Sequence, residues 1–93
     1  MNVGVLTLEL VVYEALSLKD KRRVVKSIKE RLRNRFNVSA AEIGHLESRQ
    51  RSTLGLAMVS NDARFIHSSF DRIVEFVRRN GAVSLVDFER ELL

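Results

Sequence analysis

The 93-residue sequence contains no cysteine. This absence excludes disulfide bonds, thiolate chemistry and the common cysteine-containing zinc sites. The sequence also lacks an apolar run of about 18 residues, the length that predicts a membrane-spanning helix. Because the N-terminus has no basic segment and Glu9 interrupts its first apolar run, we expect no signal peptide and a cytoplasmic protein.

Motifs for catalysis and cofactor binding are also missing. The four glycines form no phosphate-binding pattern. His45 and His67 have no second histidine at metal-ligand spacing, and no serine has a base that the sequence reveals. Asp87, Glu89 and Glu91 alternate as on a solvated strand face, with metal binding as the weaker alternative. We therefore expect no enzyme, no metal site and no cofactor.

The hydrophobic pattern predicts six secondary-structure elements in a single domain, residues 1–93. Apolar residues recur every three to four positions in two segments, which predicts helices. The first runs from Leu18 to about Arg35. The second follows Asp62, its N-cap, and ends at Asn80–Gly81, with the glycine in the helix-ending position. Four other segments are typical of strands, namely Val3–Tyr13, Val38–Ile43, Thr53–Ser60 and Val83–Phe88. The tail after the last strand either extends it or frays.

The element order β-α-β-β-α-β predicts a ferredoxin-like α+β fold. Two right-handed crossovers place both helices on one face of a four-stranded antiparallel sheet with strand order 4-1-3-2. The first and third strands are then central, in agreement with their apolar character. The helices are expected to cover the apolar residues of these two strands: Leu6, Leu8, Leu10, Leu54, Leu56 and Met58.

The first helix has an N-terminal signal and a buried arc. Ser17–Asp20 matches a capping box, in which the side chains of Ser17 and Asp20 each accept from the other residue's backbone amide. Lys21 and Arg35 are expected near the edge of the buried arc, where long side chains extend to solvent. At about 100° per residue, five apolar residues form that arc: Leu18, Val24, Val25, Ile28 and Leu32.

The opposite arc of this helix is the strongest functional signal. Residues 19–35 contain nine Lys or Arg and two acids, a charge of +7, whereas the whole chain carries +4. Like charges three or four residues apart cost about 0.2–0.5 kcal/mol each. An uncompensated array therefore indicates a polyanion or an acidic protein surface as partner, although a merely solvated helix face is the alternative. Six cations form this basic face: Lys19, Arg22, Arg23, Lys26, Lys29 and Arg33.

The other face of the sheet is expected to be open. RNA-recognition domains of this topology stack bases on aromatic residues of the first and third strands. Here the only aromatic residue pointing outward from those strands is Tyr13, at one end. Base stacking on the sheet is therefore not expected. Uncovered apolar residues favour a partner sheet or a second subunit, so a homodimer interface is predicted at Val5, Val11 and Val59.

Three segments resemble motifs of the YlxP-like family of small bacterial proteins: Ser17–Val25, Phe36–Glu42 and Leu54–Asp62. The similarity covers nearly the whole chain in order and length. It implies the ferredoxin-like fold and no established activity. The genes of this family often lie beside those for translation initiation factor two and ribosome-binding factor A, which implies an association with RNA or ribosomes.

Together these patterns predict a non-enzymatic module that binds RNA or the ribosome through the basic face. Arg49 and Arg51, in a polar and mobile hairpin connection over His45–Ser52, are expected to help. Arg72 and Arg78 of the second helix are expected to contribute less. Phosphate contacts position a nucleic acid without reading its sequence. The alternative is a homo-oligomeric scaffold or regulatory domain that binds a protein or a small ligand.

Overall fold

A computed structural model describes all 93 residues and contains the six elements in the predicted order. The strands form one antiparallel sheet with the order β2-β3-β1-β4. The predicted ferredoxin-like fold and its strand order are therefore confirmed. The elements are β1 (Asn2–Val12), α1 (Leu18–Arg35), β2 (Ser39–Gly44), β3 (Arg51–Ser60), α2 (Ala63–Arg78) and β4 (Val83–Leu92).

The core lies between the helices and one face of the sheet. Along β1 every second side chain from Leu6 to Val12 is buried, while the residues between them are partly exposed. This alternation is what a strand with one covered face requires. Leu18 and Val24, at the start of α1, are only half-buried. The helices contribute two sets of buried residues, Val25, Ile28 and Leu32 from α1 and Ile66, Phe70, Ile73, Val74 and Val77 from α2.

The two helices lie over different parts of the sheet. α1 packs on β2, and α2 packs on β1, β3 and β4. A Cβ atom at Gly4 in β1 would overlap Cγ2 of Ile66 and would lie 3.0 Å from Cε2 of Phe70, so glycine permits the close approach of α2. One side of α1 therefore borders the β2 edge of the sheet, and its other side faces α2.

Several element ends differ from the predictions. β1 and β2 are displaced by one residue each, and β3 begins earlier because Arg51 pairs with Val11. The tail extends β4, since Leu92 pairs with Gly4. The predicted role of Gly81 is wrong, because no glycine has a positive φ. Instead, α2 ends at Arg78, and a turn follows in which Oδ1 of Asn80 accepts from the Ala82 amide at 2.8 Å.

The N-terminus of α1 confirms half of the capping box. The hydroxyl of Ser17 accepts from the Asp20 amide at 3.1 Å. The carboxylate of Asp20 does not accept from Ser17 as predicted, but from the amide of Leu16 at 3.3 Å. The chain enters α1 through a turn at Glu14 (φ 55°), two residues before Leu16. Neither helix combines the length and apolar character needed to cross a bilayer.

Candidate nucleic-acid interface

The basic face of α1 is open to solvent and free of ion pairs. Five of its six cations are exposed, and Lys29 is half-buried. The three ion pairs of the protein involve other basic residues, namely Lys21, Arg79 and Arg90. The charges of the basic face are therefore uncompensated within the chain, and a bound polyanion would relieve their repulsion.

Four cations of the basic face line a shallow groove between α1 and the β2 edge, which we call the α1–β2 groove. Its volume is about 370 Å³. The guanidinium of Arg33 donates to the carbonyl oxygen of Ala40 in β2 and so fixes one end of the groove. Lys19 and Arg23 lie outside the lining. The lining consists of Arg22, Val25, Lys26, Lys29, Glu30, Arg33 and Glu42.

The prediction that Lys21 extends to solvent is wrong. Its side chain is 0% exposed, and Nζ donates to Oε2 of Glu42 at 2.7 Å and to the carbonyl oxygen of His45 at 3.0 Å. The hydroxyl of Ser52 donates to the same Oε2 at 2.7 Å. A buried ammonium is tolerated because it is paired and hydrogen-bonded. As a consequence, the charge of Glu42 at the α1–β2 groove is neutralised from inside the protein.

The structure separates the two hairpin arginines. Arg51 lies opposite Val11, a residue of the open sheet face, so its side chain lies across the sheet from α1. Arg49 is exposed in the connection between β2 and β3. That connection is tied to α1 by the bond from Lys21 to the His45 carbonyl. Arg51 therefore does not join the basic face, and Arg49 is the hairpin cation on a loop attached to α1.

The predicted interface residues of the open sheet face do not form one patch. Val5 pairs with Ala57, and Val3 pairs with Val59, which is 50% exposed. These four residues form an apolar patch at one end of the sheet. Val11 is half-buried and lies about 20 Å away at about 3.4 Å per residue. The structure therefore brings Val5 and Val59 together and leaves Val11 outside.

The β4 side of the open face is acidic. Asp87 pairs with Glu9, and Glu89 and Glu91 follow along the same face. Glu9 accepts a hydrogen bond from the hydroxyl of Thr53. No group of three or more His, Asp or Glu side chains is placed to hold a metal ion. The sheet thus separates an acidic surface along β4 from the basic surface of α1.

A second basic cavity lies between α1 and α2, and sequence reasoning missed it. This interhelix cleft has a volume of about 540 Å³. Arg72, expected to contribute less than the basic face, lines it. The sequence signal that could have indicated the cleft is the pair Arg31 and Arg35, which lie one helical turn apart and off the basic face of α1. The cleft is lined by Arg31, Arg35 and Phe36 from the end of α1 and by Arg72, Glu75, Phe76, Arg79 and Asn80 from the end of α2.

Comparison with known proteins identifies relatives and no activity. A family model described as "Protein of unknown function (DUF503)" matches residues 3–90. The uncharacterized protein YlxP of Bacillus subtilis (strain 168) is 39% identical to the chain over 75 residues, which cover 81% of the chain and 82% of the relative. These matches confirm the resemblance found in the sequence, and neither assigns a ligand or a reaction.

Proposed function

Since the chain belongs to the DUF503 family of proteins of unknown function, we propose its function from the site itself: a non-enzymatic module whose basic face binds the phosphate backbone of RNA. The observation behind this proposal is the basic face, whose six cations form no ion pair. The ribosome or a precursor RNA is the partner that we propose, in agreement with the gene neighbourhood of YlxP-like proteins.

The α1–β2 groove supports a phosphate ligand by its charge balance. Lysine and arginine side chains gain affinity for a phosphate backbone by displacing its condensed counterions. Of the two carboxylates in the lining, Glu42 is already neutralised by Lys21, so only Glu30 opposes the four cations. Arg33 is held by the Ala40 carbonyl and presents a guanidinium that is partly ordered in advance.

The length of the basic face favours an extended polyanion. Lys19 and Arg33 are 14 residues apart in one helix, which corresponds to about 21 Å at 1.5 Å per residue. A strand of RNA offers phosphates along such a distance. Contacts of this kind position the RNA and give no sequence preference.

Salt dependence tests the proposal. Neutralising about six phosphates gives a slope of log affinity against log salt of about −4 to −5. Replacing Arg22 and Lys26 together by Gln removes two cations of the α1–β2 groove. We expect weaker RNA binding and a slope that is shallower by about 1.4–1.8. The helix should be retained, because Gln is a good helix former and neither side chain makes a bond within the protein. Fluorescence anisotropy with labelled RNA measures both quantities.

The matched control is the double variant Arg64→Gln and Arg78→Gln on α2, which removes the same number of charges outside both basic cavities. We expect a smaller loss of affinity for it. Absence of RNA binding by the wild type at about 50 mM salt, where electrostatic binding is strong, contradicts the proposal. If the two double variants lose the same RNA affinity, the assignment of the α1–β2 groove as the RNA site is contradicted.

A homo-oligomeric scaffold is the second candidate, and the apolar patch of the open face supports it. Val59 is 50% exposed beside Val3, and Val5 lies in the next pair along the same strands. A second copy of the chain that packs on this patch would remove apolar surface from water. Because the patch and the basic face lie on opposite sides of the sheet, self-association leaves the RNA surface free.

A further inference from the structure

We propose that the interhelix cleft binds a nucleotide, with its phosphate on the cleft arginines and its base stacked on Arg35. The proposal deepens the proposed function. If the nucleotide is part of an RNA strand, the proposal rests on the RNA-binding function proposed above. A free nucleotide is the other source of the same chemistry. The cleft is separate from the α1–β2 groove, since the two cavities have no lining residue in common.

The guanidinium groups of the cleft have free donors. Among the arginines of the protein, only Arg33 and Arg90 donate side-chain hydrogen bonds to other residues. Arg79 lies 3.7 Å from the carboxylate of Glu75, but both side chains are exposed, and such a pair is weak. The four cleft arginines thus present forked donors to one space, and guanidinium groups bind phosphate oxygens in pairs.

Aromatic rings add a flat apolar surface to these charges. The rings of Phe36 and Phe76 are half-buried and pack edge to face, with centroids 6.4 Å apart at 72°. The guanidinium carbon of Arg35 lies 4.9 Å from the centroid of Phe76. Because Arg35 is otherwise exposed, the outer face of its guanidinium is open. Unpaired bases stack on such guanidinium planes as well as on aromatic rings. A compact inorganic anion would leave this stacking surface unused.

The cleft continues the RNA path across α1. Arg33 lies in the α1–β2 groove, and Arg31 and Arg35 lie in the cleft on the other side of the same helical turns. A helix with side chains is about 10–12 Å across, so a single strand needs only a few nucleotides to cross it. A single bound RNA strand then places its phosphates on one side of α1 and one stacked nucleotide on the other side.

Arg35→Lys is the diagnostic variant, because it keeps the charge and loses the stacking plane. Arg64→Lys, exposed at the start of α2, is its matched control. Two strands of equal length are compared, one a normal oligoribonucleotide and one without bases. We expect Arg35→Lys to weaken the normal strand about 5-fold to 150-fold, the range of one stacked base, and to leave the baseless strand nearly unchanged. Arg64→Lys should affect neither.

Nuclear magnetic resonance of the labelled full chain locates the ligand and separates its sources. Adenosine monophosphate and the normal strand are titrated in parallel, and the backbone amides of Phe36, Phe76 and Asn80 should shift with the ligand that binds. Shifts with the mononucleotide but no RNA binding support the cleft as a free-nucleotide site and contradict the RNA function.

The opposite result is equally distinguishable. If the double variant of Arg22 and Lys26 loses RNA affinity while Arg35→Lys behaves like Arg64→Lys, the RNA-binding role of the basic face is supported and the cleft proposal is overturned. Unshifted cleft amides with both ligands also overturn it. If Arg35→Lys weakens the normal and the baseless strand equally, the cleft binds phosphate without the base, and the stacking proposal is wrong.

Discussion

One buried residue, Lys21, joins three parts of the molecule. Its ammonium group connects α1 to Glu42 in β2 and to the carbonyl of His45, where the β2–β3 connection begins. His45 has a φ of 57°, a conformation that L-residues adopt only when the surrounding structure holds them there. The Lys21 bond is one such restraint. The position of the connection, and with it that of Arg49, therefore depends on a fully buried side chain.

Lys21→Met tests this dependence. The change leaves the Glu42 carboxylate, which is 12% exposed, without its cation. Breaking one partner of a buried pair costs about 3–5 kcal/mol, so we expect a destabilisation of that size in urea unfolding followed by circular dichroism. The double variant Lys21→Met with Glu42→Gln should recover most of the loss, because Gln is neutral and still accepts from Ser52. A cost below about 1 kcal/mol, the value of an exposed pair, contradicts the role of Lys21.

The sequence already contained a signal for the burial of Lys21. It precedes Ile28 by 7 residues and Leu32 by 11, so all three lie on one stripe of α1. The prediction placed Lys21 near the edge of the buried arc, where a long side chain extends to solvent. An unpaired lysine is costly to bury. Its partner Glu42 is 21 residues away in sequence. No local spacing reveals such a pairing, which only the packing of α1 on β2 creates.

Secondary-structure elements were predictable where their signals are local in sequence, and not where they depend on distant contacts. The bounds of α1 were predicted to the residue because the Ser17 cap and the helical period are local signals. The extent of β4 was left open between extension and fraying, because residues 89–92 form a strand through pairing with β1. The interhelix cleft was also missed, since it depends on how the two helix ends meet. Hence the basic face was predictable from one helix, and the cleft was not.

Ser17→Ala measures how much the cap contributes to α1. The hydroxyl of Ser17 satisfies the Asp20 amide at 3.1 Å, and loss of such a cap costs about 1 kcal/mol. In a domain of this size we expect a decrease in melting temperature of about 4–8 °C. Ser68→Ala, an exposed position of α2 whose side chain makes no hydrogen bond in the protein, is the control and should change little. Equal melting temperatures for Ser17→Ala and the wild type contradict the cap.

At the scale of the whole molecule, the sheet separates the basic surface from the acidic and apolar surfaces. The basic face lies on the helix side, while the acidic residues of β4 and the patch around Val59 lie on the open side. We expect a molecule built in this way to present one surface to a polyanion and another to a second copy. The two candidate functions are therefore compatible, and each is tested by variants on its own side.

Val59→Lys tests the second surface. An added charge in the apolar patch would have to be desolvated in a dimer. We expect light scattering at micromolar concentration to show a dimer for the wild type and a monomer for the variant. The monomer should remain folded, with the circular dichroism of the wild type, because the core is on the other side of the sheet. Val11→Lys, outside the patch, should remain dimeric. A monomeric wild type at high concentration contradicts the interface, and so does a dimeric Val59→Lys variant.

The two edge strands of the sheet affect how the folded protein behaves in a crowded solution. β2 and β4 are the two edges of the sheet, and the unpaired amides and carbonyls of an edge strand are a template for fibre growth. The bulge between Glu42 and Gly44 in β2 disfavours the addition of a further strand there. In β4 the exposed charges of Glu89 and Glu91 oppose such growth, together with an irregular register against β1. We expect these features to suppress aggregation through the edges, so that a second copy approaches the open face of the sheet instead.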